Sequence, residues 1–339
     1  MRNSPQNSKI TMAHGSGGKL MHDLIKKLFL QKFDNPILSS LSDSAIINLN
    51  GNPIAFTTDS YVVNPIFFPG GDIGKLAVCG TINDLAVVGA NPLYLSCSVV
   101  IEEGFEYELL EKIIDSMKVT AEKAGVEIVT GDTKVVERGK GDKIFINTSG
   151  IGIIEKEDLS VENIKVGDRI ILNGSIGEHG IAILSERAEL GLDVNIESDC
   201  APLNDLIQSV IKISNKVKFM RDPTRGGLAT VLNEIVENRN FGIILEEEKI
   251  LVKEEVKAVC EILGFDPLYI ANEGKVVIIA GAEDAEKIVE VMRRHPLGKD
   301  THIIGEIVGE PKGLVCMKTR SGGTRIVDML VGEQLPRIC

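Results

Sequence analysis

KVGDRIILNG, residues 165–174, is the stretch that decides how this 339-residue chain is organised. It follows a break near residues 156–166, and its apolar run at 170–172 is typical of a buried strand that opens a second series of strands and helices. The residues before the break also mix strands with helices. The sequence therefore predicts two α/β lobes of similar size, as the length of the chain also allows.

Apolar periodicity outlines the elements of both halves. Before the break we predict a helix after residue 18, strands at 45–49, 53–63 and 93–101, and helices at 72–89 and 107–125. After it we predict helices at 179–190, 203–218, 227–238, 253–263 and 283–294. Further strands are predicted near 241–246, 274–280, 301–309, 313–318 and 323–328. The final GEQLPRIC, 332–339, indicates an extended tail, because Pro336 disfavours helix.

Composition excludes several classes of function. The net charge of −12 would repel nucleic acid and anionic membrane surfaces, so we expect neither as a partner. Six cysteines with irregular spacing and no CxxC argue against structural zinc and for a reduced, cytoplasmic protein. No run of 18 apolar residues predicts a membrane span, and the first residues lack the apolar core of a signal peptide.

Four aspartates follow or interrupt apolar segments: Asp43 in LSDSAI, Asp59 in FTTDSYV, Asp84 in TINDLAVVGA and Asp132 in VTGDTKV. Aspartates at strand ends can converge on one cleft, where α/β proteins usually bind ligands. Their hard oxygens suit Mg²⁺, which in turn holds phosphate oxygens. The alternative is that they are ordinary turn and cap residues.

A glycine-rich loop precedes the first helix, with the sequence HGSGGK at residues 14–19. Backbone amides in such a loop, and the positive end of the following helix, suit a phosphate group. In RDPTRGGLATVLNEI, 221–235, Arg225 stands beside a helix start and is a candidate partner for phosphate or carboxylate. A flexible turn and a capping segment are the alternatives for these two stretches.

Two further residues are candidates for chemistry. Glu273, in ANEGK just before an apolar strand, is placed as a general base would be, although the residues alone favour a polar turn at the entry to the strand. Cys339 ends the chain in PRIC, and its thiolate would be a nucleophile, which Arg337 would favour. An extended stretch from residue 331 to 339 spans about 30 Å, enough to swing between an internal cleft and a partner. The alternative is an incidental terminal cysteine.

Taken in order, HGSGGK, TTDS, NDLAVVGANP, TGDTKV, RDPTRGGLAT, ANEGK and the terminal PRIC resemble the HypE family of hydrogenase maturation proteins along essentially the whole chain. The glycine loop and the aspartates are shared with a wider ATP-using superfamily that includes aminoimidazole ribonucleotide (AIR) synthetase and selenophosphate synthetase. The terminal PRIC separates this family from those relatives.

The resemblance implies a two-lobed, AIR synthetase (PurM)-like α/β fold. An N-terminal segment, 1–44, would carry the glycine loop and a helix. The N-terminal ATP-binding domain, 45–156, would hold a mixed sheet that closes a β-barrel with its copy in a homodimer. The C-terminal domain, 157–328, would be an α/β sandwich, and residues 329–339 a flexible tail ending in the reactive cysteine. The nucleotide would bind between the lobes.

The resemblance also implies an ATP-dependent carbamoyl dehydratase, a lyase. The carbamoyltransferase HypF would load a carbamoyl group onto Cys339, and ATP with Mg²⁺ would convert it to a thiocyanate. The cyano group would pass to iron on a HypC–HypD complex. By motif, Lys134 and Glu273 would handle protons and polarise oxygen. The metal and nucleotide residues would be His14, Gly15, Gly17, Gly18, Asp43, Asp59, Asp84, Asp132 and Arg225, with the four aspartates on the metal.

Two other functions stay open at this point. One is an ATP-dependent small-molecule phosphotransferase or synthetase of the AIR or selenophosphate synthetase type, which would be indifferent to loss of residues 336–339. The other is a carrier that shuttles a group on Cys339 without hydrolysing ATP. The aspartates argue against a carrier, because a carrier needs no metal cluster.

Overall fold

The structure, a computed structural model, describes residues 9–187, 194–332, 335 and 337–339, and in them it contains two large sheets. The first sheet comes from the N-terminal half and the second from the C-terminal half. The elements of the first half are β1 (Ala45–Leu49), β2 (Asn52–Tyr61), β3 (Phe67–Phe68), β4 (Gly71–Asp72), α3 (Ile73–Val87), β5 (Ala90–Glu102), α4 (Tyr107–Ala124), β6 (Glu127–Val136) and β7 (Ile144–Ile154). They are preceded by α1 (Lys19–Leu24), a wider π-helical turn at Ile25–Phe29, and α2 (Leu30–Phe33).

The N-terminal sheet has the order β1-β2-β7-β5-β6 and is mixed, because only β5 and β6 run parallel. Helices α3 and α4 cover one face. Helix α3 is buried almost along its whole length, whereas α4 is amphipathic and ends at Gly125 in the left-handed conformation, φ 71°. The core between sheet and helices includes Leu76, Ile113 and Ile146.

The other face of this sheet is open. Pairing places Phe56, Tyr94 and Ile151 in one row across three strands, each about two-fifths exposed. A row nearer the opposite end is polar and contains Ser60, Asn147 and other hydroxyl side chains. Exposed apolar rows of this kind are typical of interaction surfaces.

The C-terminal sheet has the order β14-β13-β10-β12-β8-β11-β9 and lies between helices on both faces. Successive strand residues alternate between the two layers: Ile170 and Leu172 pack with α7, whereas Ile171 packs with α6 and α9. The bounds are β8 (Arg169–Leu172), α5 (Glu178–Ser185), α6 (Asn204–Ile211), β9 (Val217–Arg221), α7 (Gly227–Val236), β10 (Gly242–Glu246), α8 (Glu254–Leu263), β11 (Val277–Ala280), α9 (Ala282–Arg293), β12 (His302–Val308), β13 (Val315–Lys318) and β14 (Thr324–Ile326). This is the predicted α/β sandwich.

One predicted element is wrong in an instructive way. The helix predicted at 203–218 ends at Ile211, and residues 217–221 form the edge strand β9, paired with β11. The alternation in KVKFMR is typical of a strand, but it follows the helical pattern without a glycine or proline to mark the change. Of the helix predicted at 179–190, α5 accounts for residues up to Ser185, and residues 188–190 lie outside the described ones.

The lobes are joined at α3. Its buried Asn83 donates to the carbonyl of Ala201 and accepts from the amide of Leu203, both in the C-terminal half. The described tail residues 335 and 337–339 return to this junction, while Pro336 lies outside the described part. Within the described residues, no helix combines the length and apolar character that crossing a membrane requires.

Candidate active site

A cavity of about 260 Å³ lies between the two lobes and is lined by acidic side chains. Separate parts of the chain supply them. Asp43 precedes β1, Asp59 is on β2, Asp84 is on α3, Asp222 follows β9, and Glu273 precedes β11. The last residue, Cys339, lines the same cavity together with Gly17 and Arg225. The fold thus brings acidic groups and the terminal thiol to one place.

Asp43, Asp84 and Asp222 form the tightest cluster of the site. Each offers a carboxylate oxygen, and these three oxygens lie within 4.8 Å of one another. The hydroxyl of Thr57 lies 3.0 Å from Oδ2 of Asp84 and 2.9 Å from the carbonyl oxygen of Asp43, so it links two members of the cluster. Three oxygens at this spacing suit a hard divalent cation such as Mg²⁺.

The electrostatics of the cluster agree with a cation site. Burial, and then repulsion by Asp222 and Asp43, raise the pKa of Asp84 well above its ordinary value. Burial and the charge of Asp43 raise the pKa of Asp222 to about 7. Without a cation, repulsion among these carboxylates disfavours their ionised forms. A bound divalent ion would relieve that repulsion.

Arg221 balances one side of the cluster. It pairs with Asp43 at 2.9 Å and with Glu234 at 3.1 Å, and Glu234 in turn contacts His22 at 2.8 Å. This network holds Asp43 in place from α1 and α7. Asp59 lines the cavity beside the cluster, and its Oδ1 accepts from the amide of Ser60.

Glu273 lines the same cavity with a buried carboxyl group. It is 3 % exposed, and its Oε1 has no hydrogen-bond partner among the described residues. Burial, followed by the charges of Asp222, Asp199 and Asp59, raises the pKa of Glu273 well above its ordinary value. Its backbone is held by Asp199, whose Oδ1 accepts from the Glu273 amide at 3.1 Å.

The chain end is docked rather than free. A main-chain carboxylate oxygen of Cys339 accepts from the Val62 amide and the Arg337 carbonyl accepts from the Asn64 amide, both at 3.1 Å. Between them, Ile338 is 4 % exposed and belongs to the core of the N-terminal lobe. The predicted tail therefore rests inside the cleft, seated against residues 62–64.

The docked thiol is not activated. Burial raises the pKa of Cys339 to about 12, although the guanidinium of Arg225 opposes the rise. Arg337, which the sequence suggested as the cation that favours the thiolate, instead forms an ion pair with Asp142 and donates to the Val62 carbonyl. The cation that acts on the sulfur is Arg225, because the turn at residues 223–227 places it in the cleft.

The glycine loop lies against the tail as well as the cavity. Gly17 lines the acidic cavity, whereas His14 and Gly15 line a neighbouring cavity of about 320 Å³ that shares Arg225 and Cys339. The first amide of α1, that of Lys19, donates to the carbonyl of Leu330 at 2.9 Å. That amide is therefore already partnered by the chain's own tail.

Asp132 and Lys134 stand apart from this site within one chain. Asp132 pairs in register with Ser98, which pairs with Asn147, whereas Asp59 pairs with Thr148 in the adjacent row. Neighbouring rows face opposite sides of a sheet, so Asp132 points to the open face and Asp59 to the helix-covered face. Asp132 is exposed and pairs with Lys134 at 2.6 Å. One chain does not bring them to the cluster.

Sequence reasoning missed Asp222 as a member of the cluster. The stretch 221–235 that contains it suggests a capping segment beside a helix start, and the helix predicted to residue 218 leaves no strand before it. With 217–221 as strand β9, Asp222 becomes an aspartate directly after a strand, which is the pattern that singled out the other candidates. Thr57, two residues before Asp59, was also overlooked, and its position on the same strand face was the available signal.

Comparison with known proteins places these features in a family. Residues 41–154 match the model for the N-terminal domain of AIR synthase related proteins, and residues 165–316 match that for the C-terminal domain. A carbamoyl dehydratase HypE from Bradyrhizobium diazoefficiens is 50% identical over 336 residues, covering 98% of this chain and 97% of that protein.

Two solved structures are similar over nearly their full length. A crystal structure of a HypE–HypF complex contains a chain that is 51% identical, with a TM-score of 0.86, covering 91% of this chain and 99% of that one. A HypE crystal structure in complex with ATP is 47% identical, with a TM-score of 0.81, covering 97% and 100%.

Proposed function

This chain belongs to the HypE family of AIR synthase related proteins, and from that premise we propose that it dehydrates a carbamoyl group on the sulfur of its own Cys339. The observation that carries the proposal is the position of Cys339 in the acidic cavity, beside Glu273 and Arg225. The product is a thiocyanate, the source of cyanide ligands for NiFe-hydrogenase. The protein is thus an ATP-dependent carbamoyl dehydratase.

The reaction balances without any redox partner. The S–C(=O)–NH₂ group loses its oxygen and two protons to become S–C≡N, and ATP becomes ADP and phosphate. The γ-phosphoryl group goes to the carbamoyl oxygen, which makes that oxygen a good leaving group as phosphate. Loss of the nitrogen protons then completes the triple bond.

ATP and Mg²⁺ fit the residues present. The ATP-bound relative at 47% identity supports ATP as the phosphoryl donor. Asp43, Asp84 and Asp222 are the proposed metal ligands, with Asp59 beside them, and bound Mg²⁺ would neutralise phosphate charge. Arg225 supplies a further positive charge where oxyanions develop. Gly17, in the glycine loop, lines the space that phosphates would enter, and the neighbouring Gly18 begins α1.

Glu273 is the proposed acceptor of the nitrogen proton. Its unpartnered Oε1 and its burial leave it free to face a group carried on Cys339. A raised pKa makes it a stronger base than an exposed glutamate whenever it is ionised. Arg225 and the metal-bound charge of the occupied site would favour that ionised form.

We assign Lys134 and Asp132 to a homodimer, in which the open faces of two N-terminal sheets close on each other. Both residues lie on that open face, toward the end opposite the apolar row of Phe56, Tyr94 and Ile151. Lys134 can then polarise the carbamoyl oxygen only in the site of the partner protomer, because its own sheet separates it from its own cavity.

The tail connects this site to other proteins. A docked thiol with a pKa of about 12 is a poor nucleophile, so loading requires the tail to leave the cleft. The relative in complex with HypF, at 51% identity, supports HypF as the carbamoyltransferase that loads Cys339. A HypC–HypD complex is the proposed acceptor of the cyano group, again with the tail outside.

Intact-mass analysis of full-length protein, carbamoylated on Cys339 and then given ATP and Mg²⁺, tests the proposal. Conversion of carbamoyl to cyano should lower the mass by one water, and Cys339→Ala should show neither modification. Glu273→Gln should slow the conversion about 10²–10⁴-fold, the usual contribution of a general base. Glu255→Gln, at an exposed position on α8, is the matched control and should leave the rate unchanged. An unchanged mass in the wild type would overturn the proposal.

The same experiment separates the alternative of a small-molecule phosphotransferase. Such an enzyme would hydrolyse ATP with a free substrate and would tolerate Cys339→Ala. The docked tail already argues against it, because Cys339 lies in the space that a free substrate would use.

A further inference from the structure

A buried histidine contacts the chain end next to the reactive residue. His179, at the start of α5, is 0 % exposed, and its Nε2 lies 2.9 Å from the carbonyl oxygen of Ile338. Its Nδ1 lies 2.7 Å from the hydroxyl of Ser198. None of the chemistry proposed above uses this side chain, yet it is the ring that meets the backbone one residue before Cys339.

The neighbours of the ring determine where its proton lies. A carbonyl oxygen only accepts, so Nε2 carries the hydrogen and donates to Ile338. Burial lowers the pKa of His179, which keeps the ring neutral and leaves Nδ1 as an acceptor for the Ser198 hydroxyl. The Ser198 oxygen in turn accepts from the Cys200 amide at 3.1 Å. A directed chain of hydrogen bonds therefore runs from residue 200 to the tail.

Residues 198–200, at the other end of this series of hydrogen bonds, also hold the proposed base, Glu273. Asp199 accepts from the amides of Glu273 and Gly274, both at 3.1 Å, and pairs with Lys275 at 2.9 Å. Three consecutive residues, 198–200, thus support Glu273 from one side and the tail, through His179, from the other. The distance between Cys339 and Glu273 depends on this shared support.

We propose that His179 is a positioning residue that latches the C-terminal tail in the cleft, with Nε2–H bonded to the Ile338 carbonyl, so that the group on Cys339 meets Glu273. The inference rests on the proposed function for its catalytic consequence. The latch itself is a property of the docked tail and can be measured without the reaction.

Two substitutions separate a latch from simple core packing. The ring of His179 packs edge-to-face on Phe68, with centroids 5.5 Å apart. His179→Phe keeps a ring against Phe68 but removes the donor, whereas His179→Gln loses the ring but can place an amide nitrogen near the position of Nε2. Packing alone would make Phe the milder change, and the latch makes Gln the milder change. Ser321→Ala, at an exposed position outside the cleft, is the control.

The measurement is the rate at which iodoacetamide alkylates Cys339 at pH 7.5 in the full chain, followed by the mass of the C-terminal peptide. Alkylation reports undocking, because the docked thiol is half-buried and protonated. We expect His179→Phe to react about tenfold faster than the wild type, the effect of losing one buried hydrogen bond. His179→Gln and Ser321→Ala should stay within about twofold of the wild type.

The second readout is the single-turnover rate at which carbamoylated protein and ATP form the cyano product. His179→Phe should lower this rate, and His179→Gln should restore it. Should His179→Phe fail to fold, His179→Asn replaces it, because its shorter amide does not reach Ile338. Equal alkylation of the wild type and the donor-less variant, or faster alkylation with Gln than with Phe, would overturn the latch. A wild type that forms no thiocyanate refutes the proposed function and leaves the alkylation comparison intact.

Discussion

At the scale of single residues, the environment of Cys339 separates loading from dehydration. Inside the cleft the thiol is surrounded by the carboxyl groups of Glu273, Asp59 and Asp222, and burial disfavours its charged form. An S-carbamoyl group, which is a thiocarbamate, is uncharged and carries no such penalty on burial. The cleft therefore rejects the thiolate that loading requires and accepts the uncharged group that dehydration requires.

This difference predicts an unusual pH dependence of tail docking. The docked thiol has a pKa of about 12, against about 8.5 for a free one, so docking favours the protonated form. Docking is then full below about pH 8.5 and weakens as the pH rises toward about 12. Alkylation of Cys339 should keep rising about tenfold per pH unit from 7 to 10, where a free thiol would level off near 8.5.

The measurement is alkylation across that pH range in the full chain, with a synthetic peptide of the last nine residues as the free-thiol control. A plateau near pH 8.5 in the protein, matching the peptide, would contradict a docked, protonated thiol.

At the scale of elements, the glycine loop and the start of α1 pack against the beginning of the tail at Leu330. A Cβ on Gly18 would lie 2.6 Å from the carbonyl oxygen of Leu330, the same oxygen that accepts from the Lys19 amide. A Cβ on Gly17, whose φ is 83°, would meet Arg225 at 2.7 Å. These glycines are required by close approach to the tail and to Arg225, in addition to any phosphate.

Gly18→Ala and Gly15→Ala form a matched pair for this element. Neither glycine has a positive φ, but a Cβ on Gly15 meets nothing within 4 Å. We expect Gly18→Ala to lower the stability of the protein by about 1–3 kcal/mol, the usual cost of overpacking, and Gly15→Ala to leave it unchanged. Thermal unfolding followed by differential scanning fluorimetry compares them, and equal Tm values would show that the Gly18 contact is unimportant.

At the scale of the whole molecule, the two faces of the N-terminal sheet have separate roles. The helix-covered face carries Asp59 to the cleft, and the open face carries Lys134 at one end and an apolar row toward the other. Burial of that row between two copies would complete the fold and carry Lys134 to a second protomer.

Substitution on the open face tests the homodimer. Ile151 is 39% exposed in the centre of the apolar row, and a charge there would oppose sheet-to-sheet contact. Ile151→Glu should give a monomer in light scattering coupled to gel filtration. Ile262→Glu, at a 72% exposed position on α8, should keep the wild-type mass. A wild type that is itself monomeric would exclude the dimer.

Mixed dimers can then locate the action of Lys134. A protomer with Lys134→Met and an intact Cys339, paired with a protomer carrying Cys339→Ala, has one cysteine and one lysine on different chains. Action across the dimer should restore thiocyanate formation on that cysteine, whereas neither homodimer should form it. Failure of the mixed dimer would contradict action across the dimer, and thiocyanate formation by the Lys134→Met homodimer would place Lys134 outside the reaction.

Local patterns in the sequence determined the parts of this protein that depend on near neighbours along the chain. Helices α3 and α4 and the strand around Asp59 follow from periodicity and from glycine and proline positions. Local patterns failed at residues 217–221, because a strand follows the helix with no glycine or proline between them. Asp222 was therefore not recognised as an aspartate at a strand end. Only the tertiary structure decided which aspartates meet, that Asp132 faces away from Asp59, and that Ile338 is buried under His179. Sheet register and docking join residues more than a hundred positions apart, and these contacts are set by packing through space.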